Sequence, residues 1–152
     1  MLFRSGGNFL EGMYGIGPGA AENKSYENYL NAYQAEFGEK PATAYTENSY
    51  DAVVALALAM AAAGNEAMQG DYPGTAIRDN LRVVCNPPGE EITAGVDGLK
   101  RAFELLAQGE AINYEGAAGT IDFDEYGDTV TPILIWKIEG GEIVPVRSVL
   151  AE

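Results

Sequence analysis

Gly119-Thr120-Ile121-Asp122-Phe123-Asp124-Glu125-Tyr126-Gly127-Asp128 is the stretch on which the fold turns. Gly119 to Phe123 reads as a strand, and Asp124 to Asp128 as an acidic turn whose aspartates bond the local backbone. Beyond it, Ile133-Leu134-Ile135-Trp136 and Ile138 are apolar on both faces, which predicts an interior strand. Glu139-Gly140-Gly141-Glu142 fits a two-residue hairpin turn. Ile143 to Val149 returns, and Pro145, having no N–H for the ladder, assigns that strand to an edge. Residues 112–150 as a whole are rich in β-branched and aromatic side chains punctuated by glycine, the composition of strands.

Upstream the periodicity changes. Glu11 to Ile16 reads as a short strand after a glycine-rich loop at 5–10. Gly15, Gly17, Pro18 and Gly19 then break regular structure. Ser25 is a candidate helix N-cap. Tyr26, Tyr29, Leu30, Tyr33 and Phe37 follow at helical spacing, with Gly38 at the C′ position and Pro41 beyond. Ser49 is a second candidate cap, with Asp51 in the first turn, where a negative charge favours the helix dipole. Val53, Val54, Leu56, Leu58 and Met60 are spread around that helix, which Gly64 ends. Burying five such side chains contributes on the order of 10 kcal/mol, as much as a domain's net stability. This helix therefore requires cover on most sides, from within this chain or from outside it. Tyr72-Pro73-Gly74 reads as a turn, Thr75 to Val84 as a helix, and Asn86 to Glu90 as a loop. Val96, Leu99, Phe103 and Leu106 mark a further helix ending at Gly109. The order is helices followed by an antiparallel strand hairpin, an α/β chain.

Composition removes several function classes. The chain has 152 residues, 47% of them hydrophobic, enough for a packed core. Nine Lys and Arg against 23 Asp and Glu give a net charge of −14, which argues against nucleic acid and anionic membrane surfaces. The absence of histidine removes Ser-His-Asp and Cys-His catalysis and histidine-ligated metals. The single cysteine, Cys85, can form no intrachain disulfide and reads as a buried apolar residue. No apolar run reaches the roughly 20 residues of a membrane span, and Met1 to Ser5 contains no signal-peptide core.

Candidate chemistry is sparse. Asp122 to Gly127 begins like a calcium loop, but Tyr126 and Ile133 occupy positions five and twelve, where that loop needs ligands. The glycines of 15–19 lack the Lys and Ser/Thr of a phosphate loop. Adjacent acids such as Glu90 and Glu91, or Asp122 and Asp124, carry no motif that assigns catalytic roles. No enzyme, metal or cofactor is expected. The segment Tyr45-Thr46-Glu47-Asn48-Ser49-Tyr50 places aromatics and hydrogen-bonding groups just ahead of the most apolar helix. It reads either as a ligand-facing rim at a helix N-terminus or as a helix cap with core tyrosines.

Leu10-Glu11-Gly12-Met13, the aromatic helix ending Phe37-Gly38 before Pro41, Tyr50-Asp51-Ala52, the helix after Thr75, Gly116 through Asp128, and Trp136 in the penultimate strand form an ordered set. The set resembles the later part of the periplasmic solute-binding proteins of branched-chain amino-acid ABC transporters. The resemblance implies the carboxy-terminal part of a type I periplasmic-binding fold, in which two α/β lobes are joined by three crossovers. It implies non-catalytic capture of an amino acid or small carboxylate by lobe closure, docking of the closed form on a membrane permease, and a periplasmic location (extracellular and lipid-anchored in a Gram-positive host). Residues 1–18 would leave the second lobe, 19–110 would belong to the first, and 111–152 would return to the second. Tyr45 matches a position where the family places an aromatic against the ligand's side chain, and Glu47 and Tyr50 join it by proximity. The family's other ligand-fixing groups lie upstream of anything in this chain, so its ligand site is expected to be incomplete. So is the parallel sheet its helices cover, which predicts repacking or self-association to cover Val53, Val54, Leu56 and Leu58. The alternative is a stand-alone interaction or ligand-sensing module of the same fold.

Overall fold

A computed structural model describes residues 9–19, 23–42, 45–64 and 73–150; most of the glycine-rich 5–10 segment, and Tyr72 of the expected turn, lie outside them. The elements run β1 (Tyr14–Pro18), α1 (Lys24–Phe37), α2 (Thr46–Ala63), α3 (Pro73–Cys85), β2 (Glu90–Thr93), α4 (Val96–Ala107), β3 (Ile112–Glu115), β4 (Pro132–Glu139) and β5 (Glu142–Leu150). The α/β class and the closing antiparallel hairpin are as the sequence predicts.

Helix ends show where local chemistry prevailed. The N-cap of α1 is Asn23, whose Oδ1 accepts from the Tyr26 amide at 2.7 Å. Ser25, the expected cap, lies inside the first turn and is buried. At the other end Gly38, at φ 77°, turns its amide back to the Gln34 carbonyl, the left-handed closure that glycine permits. α2 starts before Ser49, at Thr46; its N-cap is Tyr45, and no side chain caps it. Ser49 Oγ instead donates 3.1 Å back to the Tyr45 carbonyl. α3 begins at Pro73, within the expected turn; proline's missing N–H costs nothing in a first helical turn.

β2, α4 and β3 form a parallel β-α-β unit, with Glu90 opposite Ile112 and Thr93 opposite Glu115. β2 was not legible in the sequence, where Glu90 closes a loop. β3 pairs with β2, not with the later strands. The second sheet has the order β1-β4-β5 and is antiparallel throughout. β1 begins at Tyr14 rather than Glu11. β4 is interior and β5, carrying Pro145, lies at the edge. A bulge shifts the register so that Ile135 faces Arg147 while Trp136 faces Pro145. Gly140 and Gly141, both at positive φ, make the tight turn between them. Their amides donate to the Glu11 carboxylate at 2.9 and 3.3 Å.

Gly119 to Phe123 is not a strand. It makes a single bridge, Thr120 with Glu115, and is then held by α3. The Phe123 amide donates to Asn86 Oδ1 at 3.1 Å, Asn86 Nδ2 donates to the Phe123 carbonyl at 2.9 Å, and Arg82 binds the Asp124 carbonyl. Side-chain anchoring satisfies the backbone that a ladder would otherwise serve. The acidic turn is as expected, with Asp124 Oδ1 accepting from the Tyr126 and Asp128 amides.

The core lies between the inner side of α2, α3, α4 and the β2–β3 pair. Val54, Leu58, Val84, Cys85, Ile92 and Tyr114 are buried there. Of the cover that α2 calls for, this chain supplies one side. Val53, Leu56 and Met60 are 68, 47 and 42% exposed, because α3 and α4 pack on one side of the helix. Val54 and Leu58 are covered within the chain.

Candidate functional site

Two connections join the helical layer (α1–α4 with β2–β3) to the three-stranded sheet: β1 leads into α1, and residues 116–131 run from β3 to β4. Buried polar side chains fix both where they meet the helices. Ser25 Oγ donates 2.6 Å to the Glu115 carbonyl and accepts 2.6 Å from the Ala94 amide, so one hydroxyl joins the ends of β3 and β2 to α1. Asn23 Nδ2 donates 3.3 Å to the Gly116 carbonyl.

Asp51, in the second turn of α2, is the deeper anchor. Its carboxylate accepts from the Tyr114 hydroxyl at 2.8 Å, the Ala117 amide at 2.8 Å and the Ala118 amide at 2.7 Å. Burial pushes the Asp51 carboxyl up; the three donors oppose this, and the charge of Glu47 adds to it. Burial also pushes up the Tyr114 phenol, reinforced by the neighbouring Asp51 charge. At the sheet end the Gly19 amide donates 2.7 Å to the Pro132 carbonyl.

The expected rim residues take different places. Tyr50 is half-buried. Its hydroxyl accepts from the Gly95 amide at 3.0 Å, its ring lies 5.1 Å from that of Tyr29, and burial raises its pKa. Tyr45 and Tyr50 line a shallow groove of about 460 Å³ with Tyr29, Tyr33 and Phe37. Glu47 stands on the first turn of α2, accepts 3.3 Å from Thr46 Oγ1, and raises the pKa of Tyr26 by its charge, after the larger effect of burial. It does not line the groove.

Tyr45 is the residue that reaches the sheet. Its φ of 67° is the single positive value at a non-glycine position among the described residues. This conformation is unfavourable for a bulky side chain and concentrates at functional positions. A β-carbon at Gly17 of β1 would lie 3.4 Å from the Tyr45 hydroxyl and 3.8 Å from Trp136 Nε1. The Trp136 ring lies across Gly15, where a methyl group would overlap it. Tyr45, Gly17 and Trp136 thus meet where the layers face each other. A cleft of about 970 Å³ lies between the layers, with Asn23, Tyr26 and Glu115 on the helical side and Leu134 and Ser148 on the sheet side. That volume suits a small molecule. The sequence did not single out Trp136 as a site residue, because the glycines beneath it are about 120 residues away in the chain.

The model of a family described as the receptor family ligand binding region matches residues 3–141. The chemotactic signal transduction system substrate-binding protein BasB of Halobacterium salinarum (strain ATCC 29341 / DSM 671 / R1) is 38% identical to this chain over 98 residues. The match covers 64% of this chain and 22% of that protein, so the chain spans about a fifth of the relative's length. No solved structure matches the chain.

Proposed function

Since the chain belongs to the receptor family ligand binding region family, we propose that it is the later part of a solute-binding component that captures a small molecule without chemically changing it. The observation that carries this reading is the cleft of about 970 Å³ between two layers joined by crossovers. A ligand touching both layers binds best when they approach, and that differential affinity is what drives closure.

The finer reading is a branched-chain or related amino acid, or a small carboxylate, delivered to the permease of an ABC transporter from a periplasmic or lipid-anchored extracellular position. The order of motifs from Leu10 to Trp136 supports it. The printed description of BasB favours a second reading, in which the occupied state signals to a chemotaxis partner. Both readings share ligand capture and differ in what recognises the closed form.

In this proposal β1, β4 and β5 belong to one lobe, and α1–α4 with β2–β3 to the other. The return crossover is residues 116–131, since β3 pairs with β2. The ligand-fixing groups are shared with chain beyond these residues, so binding by this chain alone is weak. Isotope-edited NMR titration with leucine, valine, isovalerate and phenylalanine tests the reading. Saturable shifts at residues facing the cleft are expected. Complete insensitivity to every solute at tens of millimolar would overturn it.

A further inference from the structure

We propose that the groove between α1 and α2 binds a small organic cation, an alkylated ammonium group held against the rings of Tyr29, Tyr33, Phe37, Tyr45 and Tyr50. The groove shares no lining residue with the interlayer cleft, so the inference goes beyond the solute-binding reading and stands without it.

Tyr29, Tyr33 and Phe37 recur every fourth residue of α1 and so fall on one face of it. Tyr50 and Tyr45 come from the start of α2 to meet them. The rings run as a series. Phe37 and Tyr33 have centroids 4.6 Å apart, Tyr33 and Tyr29 6.0 Å, and Tyr29 and Tyr50 5.1 Å, with planes inclined at 46, 59 and 49°. Tilted contacts leave part of each ring face uncovered by its neighbour, and Phe37 and Tyr45 are 64 and 47% exposed. An aromatic face carries the negative side of the ring quadrupole, which attracts a cation and repels an anion.

The charges around the rings agree. Besides the five rings the groove is lined by Thr46 and Ser49, with no Lys or Arg. Burial pushes the Tyr29 phenol up and Thr46 opposes this, while the carboxylates of Glu47 and Asp51 add to the rise, so the fixed charges acting on the rings are negative. A chain of net charge −14 also draws cations toward its surface. The helix ends set where the cation sits. α1 closes at Phe37 with no basic residue in its last turn, which places the negative end of its dipole beside Tyr33 and Phe37. Lys40 does not line the groove. α2 brings its positive end at Thr46, and Glu47 in its first turn offsets it. A metal ion would need several oxygen ligands, where these walls offer ring faces. A dry apolar cover would deprive the hydroxyls of four tyrosines of water. An alkylated ammonium group suits both the faces and the charge.

NMR titration of the chain, labelled in its aromatic rings, would compare choline with its neutral carbon isostere, the alcohol in which a quaternary carbon replaces the nitrogen. The expected result is a saturable shift of the Tyr33 and Phe37 ring resonances with choline, and binding of the isostere weaker by about threefold or more. Phe37→Leu, at an exposed position, and Tyr33→Leu should each weaken choline about twofold to fivefold, the worth of a cation–π contact at an exposed site, with the amide spectrum otherwise preserved. Glu47→Gln, outside the lining, should weaken choline about twofold and leave the isostere unchanged. Choline that binds no better than the isostere, that leaves the Tyr33 and Phe37 rings unmoved through tens of millimolar, or that survives both leucine substitutions undiminished would overturn the inference. Each of those outcomes leaves the solute-binding reading intact.

Discussion

The Asp51 carboxylate and the backbone of Gly116 pack so closely that a β-carbon on Gly116 would stand 2.6 Å from Asp51 Oδ2. The neighbours of that carboxylate, Ala117 and Ala118, donate to it at 2.8 and 2.7 Å, so it has no room to retreat. Gly116→Ala should destabilise the chain by about 1–3 kcal/mol through overpacking. Gly74→Ala in α3, where a β-carbon meets nothing within 4 Å, should stabilise it by up to ~1 kcal/mol. Urea midpoints of the two variants against the parent test the contrast.

Asp51→Asn turns an acceptor into a donor that faces a backbone N–H, an unmet pair costing about 1–3 kcal/mol. The pH dependence follows from the raised Asp51 pKa, whose main cause is burial. A carboxyl raised above its unfolded value binds more protons when folded. Its favourable contribution is therefore complete below the unfolded value near ~3.9 and declines as pH rises through the folded value. The margin of the parent over Asp51→Asn should be widest at the acid end and shrink toward neutrality. A margin that grows with pH over the same interval would contradict this.

Cys85 is fully buried, and burial pushes its thiol up to about 12. At pH 8 the native thiol is protonated and enclosed, while an unfolded cysteine with pKa ~8.5 is about a quarter thiolate. Disulfide reagents should react with it slowly in buffer, at a rate set by unfolding, and quickly in denaturing urea. Fast reaction under native conditions would mean that the core between α2 and α3 opens.

Tyr45→Asn replaces a bulky residue at φ 67° with one that tolerates the left-handed region. The relief is about 1 kcal/mol, partly offset by loss of a ring that is 47% exposed. The melting temperature should hold or rise while affinity for isovalerate falls. Loss of both together would show that Tyr45 is mainly a packing residue.

The exposed stripe Val53–Leu56–Met60 lies on a helix that carries no charged residue from Ala52 to Ala63. In a chain of net charge −14, it is a face on which two copies approach without opposing carboxylates. Light scattering should show association that rises with concentration, and Leu56→Lys should suppress it. A monomer at every concentration would leave the stripe without this role.

How far the sequence carried depended on how local each cause was. The stripe of α1, the apolar α2, the Gly140–Gly141 turn and the edge position of Pro145 follow from neighbours within a few residues, and all appear. β2 was missed because Glu90-Glu91-Ile92-Thr93 is short and half acidic, and becomes a strand only by pairing with residues 112–115. Gly119 to Phe123 has strand composition, yet its backbone is claimed by Asn86 and Arg82. Ser25 looks like a cap and is instead a joint, since Asn23 is better placed to cap and the carbonyl of Glu115 waits beside Ser25. Of the candidate site, Tyr45 was legible through its family position, whereas Trp136 becomes visible only once β1 and β4 are side by side.

The grip of Glu11 on Gly140 spans 129 residues, and among the described residues β1 has no other strand partner than β4. Closing so long a loop is entropically costly before any contact rewards it. The helical half, built largely from nearer neighbours, is therefore positioned to fold first and to bring β1 and β4 into reach. During synthesis Tyr14 to Pro18 leaves the ribosome well ahead of β4 and waits, an unpaired segment, until that strand emerges.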